Sequence, residues 1–284
     1  SGNGLSHPSY LFGTYHGTYD ILYQYTDSIP ELHQAFNACS QFAGESETTS
    51  KPTPAQVGAA IKLPKDTTYA DLLNKEDFHF LDSIVRQSLK SPLNKMYIKP
   101  NFLALILGEI EKGKKLVDTG YSQSRIDSMK SQVMDIALEK KAKEKGLTIV
   151  GLEDIFDAFV SEKSNLKKEA DELISDLRED DEISPLSFVN TLSDVYRTQN
   201  MKSLIDFEVK VDSIFRTSPK LTEIGKRIRE DLLKRRNLNW MNKIPELMKA
   251  QPTFIAVGVR HLPGKDGLIA LLLEKGYQVE PIGL

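Results

Sequence analysis

Two copies of one short pattern, an apolar strand that runs into Gly-x-x-His, lie near the two ends of this 284-residue chain. Residues 253–264 read TFIAVGVRHLPG, and residues 9–16 read SYLFGTYH. Each glycine lets the backbone turn sharply where a strand ends, and it allows a ligand to approach. Each copy therefore predicts a buried strand with one histidine, His16 or His261, just after its end. Together they predict a site built from the two ends of the chain.

The order of predicted elements indicates an α/β fold. We expect a central sheet whose parallel strands come from both chain ends and are flanked by helices. The strand, helix, strand order near the start predicts a parallel pair. Apolar and β-branched runs bounded by turn residues predict the individual strands. These predicted strands cover residues 10–14, 41–45, 147–152, 253–259 and 277–282.

Charged, helix-favouring segments fill the rest of the chain. We predict a single α/β domain over residues 1–284, with a large helical insertion over approximately residues 155–250. Residues 125–145 predict one long amphipathic helix, because apolar residues including Met129 and Ile136 recur on one face.

Composition excludes several classes of protein. A 40% hydrophobic and 27% charged composition is that of a soluble globular chain, and the net charge of −3 argues against a nucleic-acid binder. The longest apolar runs are residues 102–107 and 268–273, which are far too short to span a membrane. Cys39 is the single cysteine, so an intrachain disulfide is excluded. We expect a peptide or small-molecule partner, and the oligomeric state stays open.

Four polar side chains follow four different predicted strands: His16, Glu45, Glu153 and His261. Ligands of open parallel sheets bind outside the carboxyl ends of the strands. Two histidines and a carboxylate can hold a divalent metal with one position left for water, or they can act as base, orienter and proton donor without a metal. A single histidine after a strand is more often structural, but here the motif is repeated. For Glu153 we favour a cap of the following helix.

An arginine and an aromatic residue stand one helical turn apart in Arg236-Asn237-x-x-Trp240. Such an arginine can clamp a carboxylate or orient a catalytic one, because its planar fork matches carboxylate geometry. The alternative interpretation is a surface arginine beside a core tryptophan.

The same residues carry a family resemblance. Five motifs occur in order: YLFGTYH at 10–16, FAGE at 42–45, GLE at 151–153, RNxxW at 236–240 and VGxxHLPG at 257–264. In this ordered set the chain resembles the TraB/GumN (TraB/PrgY/Tiki-like) family over nearly its whole length. The resemblance implies an α/β core with paired Gly-x-x-His motifs. Many bacterial relatives carry export signals, which implies a periplasmic, cell-surface or secreted location, with a cytoplasmic one as the alternative.

The resemblance also implies an activity. Tiki-like members are divalent-metal-dependent proteases that remove N-terminal residues from a peptide. Carried over residue by residue, His16, Glu45 and His261 become the metal ligands and catalytic set, Arg236 becomes a site arginine, and Glu153 becomes a further candidate. The candidate ions are Mn²⁺, Co²⁺ and Zn²⁺. Distantly similar erythromycin esterases imply a metal-free hydrolase as one alternative, and TraB-type members imply a non-catalytic peptide-binding protein as another.

The sequence departs from the family pattern beside the second histidine. Arg260 stands where members usually have a small or apolar residue, which places a positive charge next to the proposed cation. This substitution weakens the metal hypothesis or indicates that a substrate carboxylate binds there.

Overall fold

Four strands form one all-parallel sheet within the described part of the chain. The computed structural model describes residues 1–15, 26–27, 29–47, 53–118, 120–130, 132–154, 165–178 and 185–282. The strand order in the sheet is β1-β4-β2-β3. The strands are β1 (Tyr10–Thr14), β2 (Gln41–Gly44), β3 (Thr148–Gly151) and β4 (Thr253–Gly258).

Helices connect and flank these strands. The first half of the chain contains α1 (Pro30–Asn37), α2 (Pro54–Ile61), α3 (Tyr69–Leu72), α4 (Lys75–Leu89), α5 (Pro100–Asp118), α6 (Gln123–Lys130) and α7 (Met134–Glu144). The second half contains α8 (Leu166–Arg178), α9 (Pro185–Arg197), α10 (Met201–Phe215), α11 (Pro219–Arg227), α12 (Arg235–Trp240), α13 (Ile244–Ala250) and α14 (Leu268–Glu274). A π-helical segment, Ile228–Lys234, joins α11 to α12, and a 3₁₀ turn, Val259–His261, follows β4.

The central strand β4 is buried along its whole length. Side chains alternate between the two faces of a strand, and β4 uses both faces. Ile255 and Val257 belong to a core cluster with residues of α12, α13 and α14. Phe254 and Ala256 belong to another cluster with residues of α1 and α7. A central parallel strand that is covered on both faces explains the uninterrupted apolar run in its sequence.

The chain divides into two compact units. The sheet unit comprises residues 1–50, 129–158 and 185–284, and the helical unit comprises residues 51–128 and 159–184. The helical unit has its own apolar core, contributed by α3, α4, α5 and α8. Its most deeply buried members include Tyr69, Leu81, Val85, Leu103 and Ala170.

The α/β prediction is confirmed, and the sheet draws its strands from both chain ends. Two details of the predicted sheet are wrong. First, β1 and β2 are parallel but are not neighbours, because β4 lies between them. Second, residues 277–282 do not form a strand of this sheet. Tyr277 instead makes an antiparallel bridge with Gly2, and the Gln278 amide donates to the Ser1 carbonyl at 2.8 Å.

The predicted helix over residues 125–145 is also wrong as a single element, because it consists of α6 and α7. Val133 has an extended backbone and precedes the first turn of α7. Met134 is fully buried and packs in a cluster with Tyr15. In α7, which begins at Met134, the Met134 side chain lies in the core, whereas Ile136 is 38% exposed. The continuous apolar pattern is therefore divided between two helices, and the second begins at a residue that is buried against Tyr15.

No described helix combines the length and the apolar character that crossing a membrane requires.

Candidate functional site

Two carboxylates lie side by side at the carboxyl edge of the sheet. Glu45 directly follows β2, and Glu153 follows β3 after one residue. The backbone pairing of these two strands continues past their ends, because the Glu153 amide donates to the Glu45 carbonyl at 2.8 Å. Parallel strands end at the same edge of a sheet, so the register of β2 and β3 brings two distant glutamates together.

Arg236 joins the two carboxylates. Its Nη2 atom lies 2.5 Å from Glu45 Oε2, and its Nε atom lies 2.9 Å from Glu153 Oε1. The guanidinium also lies 4.7 Å from the centre of the Trp240 ring, one turn further along α12. The indole nitrogen of Trp240 donates to Glu153 Oε2 at 3.0 Å. The predicted pairing of arginine with a carboxylate beside the tryptophan is therefore present.

Arg236 and Trp240 are the buried members of this group. Arg236 is 9% exposed and Trp240 is fully buried. Burial lowers the pKa of Arg236, but hydrogen bonds and charge from Glu153 and Glu45 outweigh it, so the pKa lies above its usual value. Arg236 is thus a permanent cation that the two acids hold in place. A buried cation needs such partners, because an uncompensated charge is costly away from water.

Glu45 also binds the end of β4. Its Oε1 atom accepts a hydrogen bond from the Gly258 amide at 2.6 Å. Gly258 is the glycine of the second Gly-x-x-His motif. The carboxylate that follows β2 therefore contacts the backbone of β4 with one oxygen and the Arg236 guanidinium with the other.

His261 completes the group. The residue is 4% exposed, and its ring centre lies 4.5 Å from that of Trp240. Its Nε2 atom is 3.2 Å from Arg236 Nη1 and 3.8 Å from Glu45 Oε1. Its Nδ1 atom is 2.7 Å from the side-chain oxygen of Asn237. The imidazole is thus held on both nitrogens by residues of α12.

The structure brings together Glu45, Glu153, Arg236 and His261, which we call the edge cluster. The first predicted histidine, His16, lies outside the described residues. Three edge-cluster residues, Glu45, Glu153 and His261, are of types that ligate divalent metals. Among the described residues, no group of three or more His, Cys, Asp and Glu side chains is placed to hold a metal.

Arg260 contacts a residue outside the edge cluster. Its Nε and Nη2 atoms bind the two oxygens of Glu208 on α10, at 2.6 and 2.8 Å. The side chain therefore makes a bidentate ion pair with a structural partner. The positive charge that the sequence places beside His261 is partly balanced by this glutamate.

Sequence reasoning named Glu153 as a candidate without its partners and missed Asn237. The Glu153 carboxylate accepts hydrogen bonds from Arg236 and Trp240, whereas we favoured a cap of a following helix, which lies outside the described residues. Asn237 contacts His261, but its only sequence signal is its place in the Arg236-Asn237-x-x-Trp240 motif. Contacts between residues so far apart in the chain leave no local spacing from which to predict them.

A sequence model described as the TraB/PrgY/gumN family matches residues 1–281 of the chain, nearly its full length. The chain belongs to the TraB/PrgY/gumN family. The predicted resemblance is therefore confirmed. Comparison with curated proteins finds no match, and comparison with solved structures finds none either.

Within this TraB/PrgY/gumN chain, four of the five motifs that carry the resemblance supply a residue of the edge cluster. They are the motifs of Glu45, Glu153, Arg236 and His261. Residues from four of the five family motifs therefore contact one another at the carboxyl edge of the sheet.

Proposed function

We propose that this TraB/PrgY/gumN protein is a metal-dependent hydrolase that cleaves an amide bond of a peptide at the edge cluster. The supporting observation is the approach of an imidazole nitrogen to a carboxylate oxygen, 3.8 Å between His261 Nε2 and Glu45 Oε1. Both groups stand at the edge where parallel sheets bind ligands. A general base and a carboxylate at such a place suit the activation of water.

The donor chemistry of this pair fits a divalent cation such as Zn²⁺, Mn²⁺ or Co²⁺. Carboxylate oxygen and imidazole nitrogen are common ligands of these ions. Glu45 and His261 would hold two positions, and we propose His16 for a third. A bound ion of this kind lowers the pKa of a coordinated water and polarises a carbonyl.

The protein's own residues would prepare the site. Glu45 and His261 accept a proton or hold the metal. Arg236 steadies a substrate carboxylate or the oxyanion that develops during attack on the amide, because a fixed cation stabilises that charge. Glu153 and Trp240 keep Arg236 in position through the contacts described above.

A metal-free hydrolase of the esterase type is the second candidate, and one observation favours it. Arg236 approaches both proposed donors, with Nη1 3.2 Å from His261 and Nη2 2.5 Å from Glu45. A guanidinium so close to both groups supplies the positive charge that a metal would otherwise bring. The third candidate, a protein that sequesters a peptide without cutting it, uses the same residues for binding alone.

Elemental analysis of the purified protein, combined with peptide cleavage assays, tests the proposal. We expect a stoichiometric divalent metal in the unaltered protein and loss of both metal and cleavage in His16→Ala and His261→Ala. The control is His79→Ala, because His79 is exposed on α4 in the helical unit. If both site variants retain metal and cleavage, the proposal is wrong.

A strong chelator separates the candidates. Cleavage that disappears with chelator and returns with added metal supports the metal-dependent hydrolase. Cleavage that survives complete metal removal supports the metal-free hydrolase. Mass spectrometry that finds only intact peptide, still co-purifying with the protein, supports sequestration.

We also propose a periplasmic, cell-surface or secreted location, on the strength of family membership. Fractionation of cells that express the full-length gene tests it. Recovery of the protein with cytosolic markers alone would contradict the proposal.

A further inference from the structure

Asn237 is the most deeply buried polar neighbour of the edge cluster. The residue is 1% exposed and stands on α12 directly after Arg236. Its side-chain nitrogen lies 2.8 Å from the carbonyl oxygen of Asp266 and 3.1 Å from that of His261. Its side-chain oxygen lies 2.7 Å from His261 Nδ1. All three contacts therefore involve the segment that follows β4.

These contacts determine which way the Asn237 amide points. A backbone carbonyl can only accept a hydrogen bond, so the atom that faces two carbonyls must be the amide NH₂ group. The atom that faces the imidazole is then the amide oxygen, which can only accept. The orientation of the amide follows from two independent partners, His261 O and Asp266 O.

The amide orientation in turn determines the tautomer of His261. Because the Asn237 oxygen only accepts, Nδ1 of the imidazole must carry the proton in this contact. The contact of Arg236 with the other ring nitrogen leads to the same tautomer. Its Nη1 group can only donate, and it lies 3.2 Å from Nε2. A neutral His261 is therefore protonated at Nδ1, and its lone pair is at Nε2.

We propose that Asn237 is a positioning residue that holds His261 as the Nδ1–H tautomer and directs Nε2 towards Glu45. The consequence for catalysis rests on the proposed function, whereas the tautomer itself does not. In either hydrolase, metal-dependent or metal-free, the useful atom of His261 is an unprotonated Nε2. The Asp266 and His261 carbonyl contacts add a second effect, because they tie the loop after β4 to α12.

Nitrogen-15 NMR of histidine-labelled protein tests the tautomer directly, without substrate and in metal-free buffer. The chain has five histidines, so the spectrum of His261→Gln assigns the His261 signals by difference. At a pH where the ring is neutral, we expect a protonated Nδ1 and an unprotonated Nε2. A proton on Nε2 in the unaltered protein would overturn the proposal.

Two substitutions separate the contacts of Asn237. Asn237→Leu keeps a similar size but removes all three hydrogen bonds, so we expect a mixture of tautomers. Asn237→Asp keeps an acceptor for the Nδ1 proton but cannot donate to the two carbonyls, so Nδ1 should stay protonated. The matched control is Asn239→Leu, because Asn239 is exposed on the same helix. Circular dichroism confirms that each variant folds before its spectrum is compared.

Activity and metal affinity provide the second measurement. Loss of a hydrogen bond that orients a histidine typically costs about 10- to 100-fold in activity or metal affinity. We expect a loss of that size in Asn237→Leu, mainly in kcat, a smaller loss in Asn237→Asp, and less than about twofold change in Asn239→Leu. A single Nδ1–H tautomer and full activity in Asn237→Leu would contradict the proposal.

The two proposals fail in different ways. A protein with the Nδ1–H tautomer and no hydrolase activity supports the positioning of His261 and contradicts the proposed function. An active hydrolase with Nε2 protonated in the resting protein supports the function and overturns the role of Asn237.

Discussion

The ends of β1 and β4 have the same sequence pattern but are held by different chemistry. At the end of β4, charged groups make the contacts: Glu45 binds the Gly258 amide at 2.6 Å, and Arg236 lies 3.2 Å from His261. At the described end of β1, hydroxyl groups are the donors. Tyr196 donates to the Gly13 carbonyl at 2.8 Å.

The hydroxyl of Thr14 likewise donates to Asp135 at 2.8 Å at the end of β1. This difference follows from the place of each strand in the sheet. Of the described strands, β4 is an interior strand and β1 is at an edge, so β4 has β2, the strand that leads to Glu45, as a direct neighbour and β1 does not. Repetition of a motif therefore does not repeat its surroundings. A buried charged network is costly when incomplete, whereas a single neutral hydrogen bond contributes only about 0.5–1.5 kcal/mol.

The largest effect is expected at the β4 end, from Arg236→Met. This change leaves Glu45 and Glu153 close together without their shared cation. Removing one partner of a buried ion pair costs about 3–5 kcal/mol of unfolding free energy. Urea unfolding followed by circular dichroism measures the change.

The control for Arg236→Met is the same substitution at Arg235, the adjacent residue, which is not part of the edge cluster. We expect an effect within about 0.5 kcal/mol for Arg235→Met. Equal stabilities for the two variants would show that the charged contacts at β4 contribute no more than an ordinary surface residue.

The next effect is expected where the two strand ends touch, from Gly13→Ala. A Cβ atom at Gly13 would lie 2.8 Å from Val259 Cγ2 and 3.0 Å from Val259 Cα. Because the backbone is one of these neighbours, overpacking should cost about 1–3 kcal/mol. The contrasting variant is Gly113→Ala in α5, where an added Cβ meets nothing within 4 Å and should stabilise the helix by about 0.5–1 kcal/mol. Thermal unfolding of both variants checks the opposite signs.

A smaller effect is expected at the β1 end, from Tyr196→Phe. The variant keeps the ring, which lies 5.3 Å from that of Tyr15, and removes the hydroxyl that donates to Gly13. Loss of this hydrogen bond should cost about 1 kcal/mol, measured by urea unfolding. Tyr97→Phe serves as the control, because Tyr97 is 61% exposed. A cost at Tyr196 as large as that of Arg236→Met would remove the contrast between the two ends.

The smallest effect is expected from Glu208→Gln, which weakens the ion pair with Arg260. These side chains are 24% and 19% exposed, so water already screens their charges. Such a pair contributes about 1 kcal/mol or less. Asp206→Asn is the control on the same helix, because its pair with Lys202 is 55% and 83% exposed. Urea unfolding at low and high salt measures the free energy of unfolding of both variants. A loss above about 2 kcal/mol in Glu208→Gln would show that the Arg260 ion pair contributes as much to stability as the contacts of Arg236.

Most of the fold could be predicted because its strands have strong local signals. The apolar run of β4 and the Gly-x-x-His motifs indicate a parallel strand near each end of the chain, and both strands are present, although β4 is fully buried and β1 only in part. The break between α6 and α7 was not predicted, because the apolar pattern continues through it, whereas Met134 at the start of α7 packs with Tyr15, more than a hundred residues away in the chain. Local pattern likewise predicted a closing strand at residues 277–282, whereas Tyr277 bridges to Gly2, a contact across almost the entire chain.

The candidate site could be predicted in its parts but not in its connections. Residue type and strand position identified Glu45, Glu153 and His261 as candidates, the spacing to Trp240 identified Arg236, and the structure brings these four together. The contact of Arg236 with Glu153 spans 83 positions, and spacing carries no information about such a pair. Asn237 was overlooked because an asparagine within a helix does not indicate a role in a site until the residues that it contacts are known.

The central place of β4 has a consequence for biosynthesis. A ribosome releases β1, β2 and β3 more than a hundred residues before β4. The pair β2–β3 can form early, but β1 must wait for the strand that links it to them. During that interval the nascent chain presents unpaired strand edges, which favour association with other chains. We therefore expect this protein to depend on chaperones until β4 emerges.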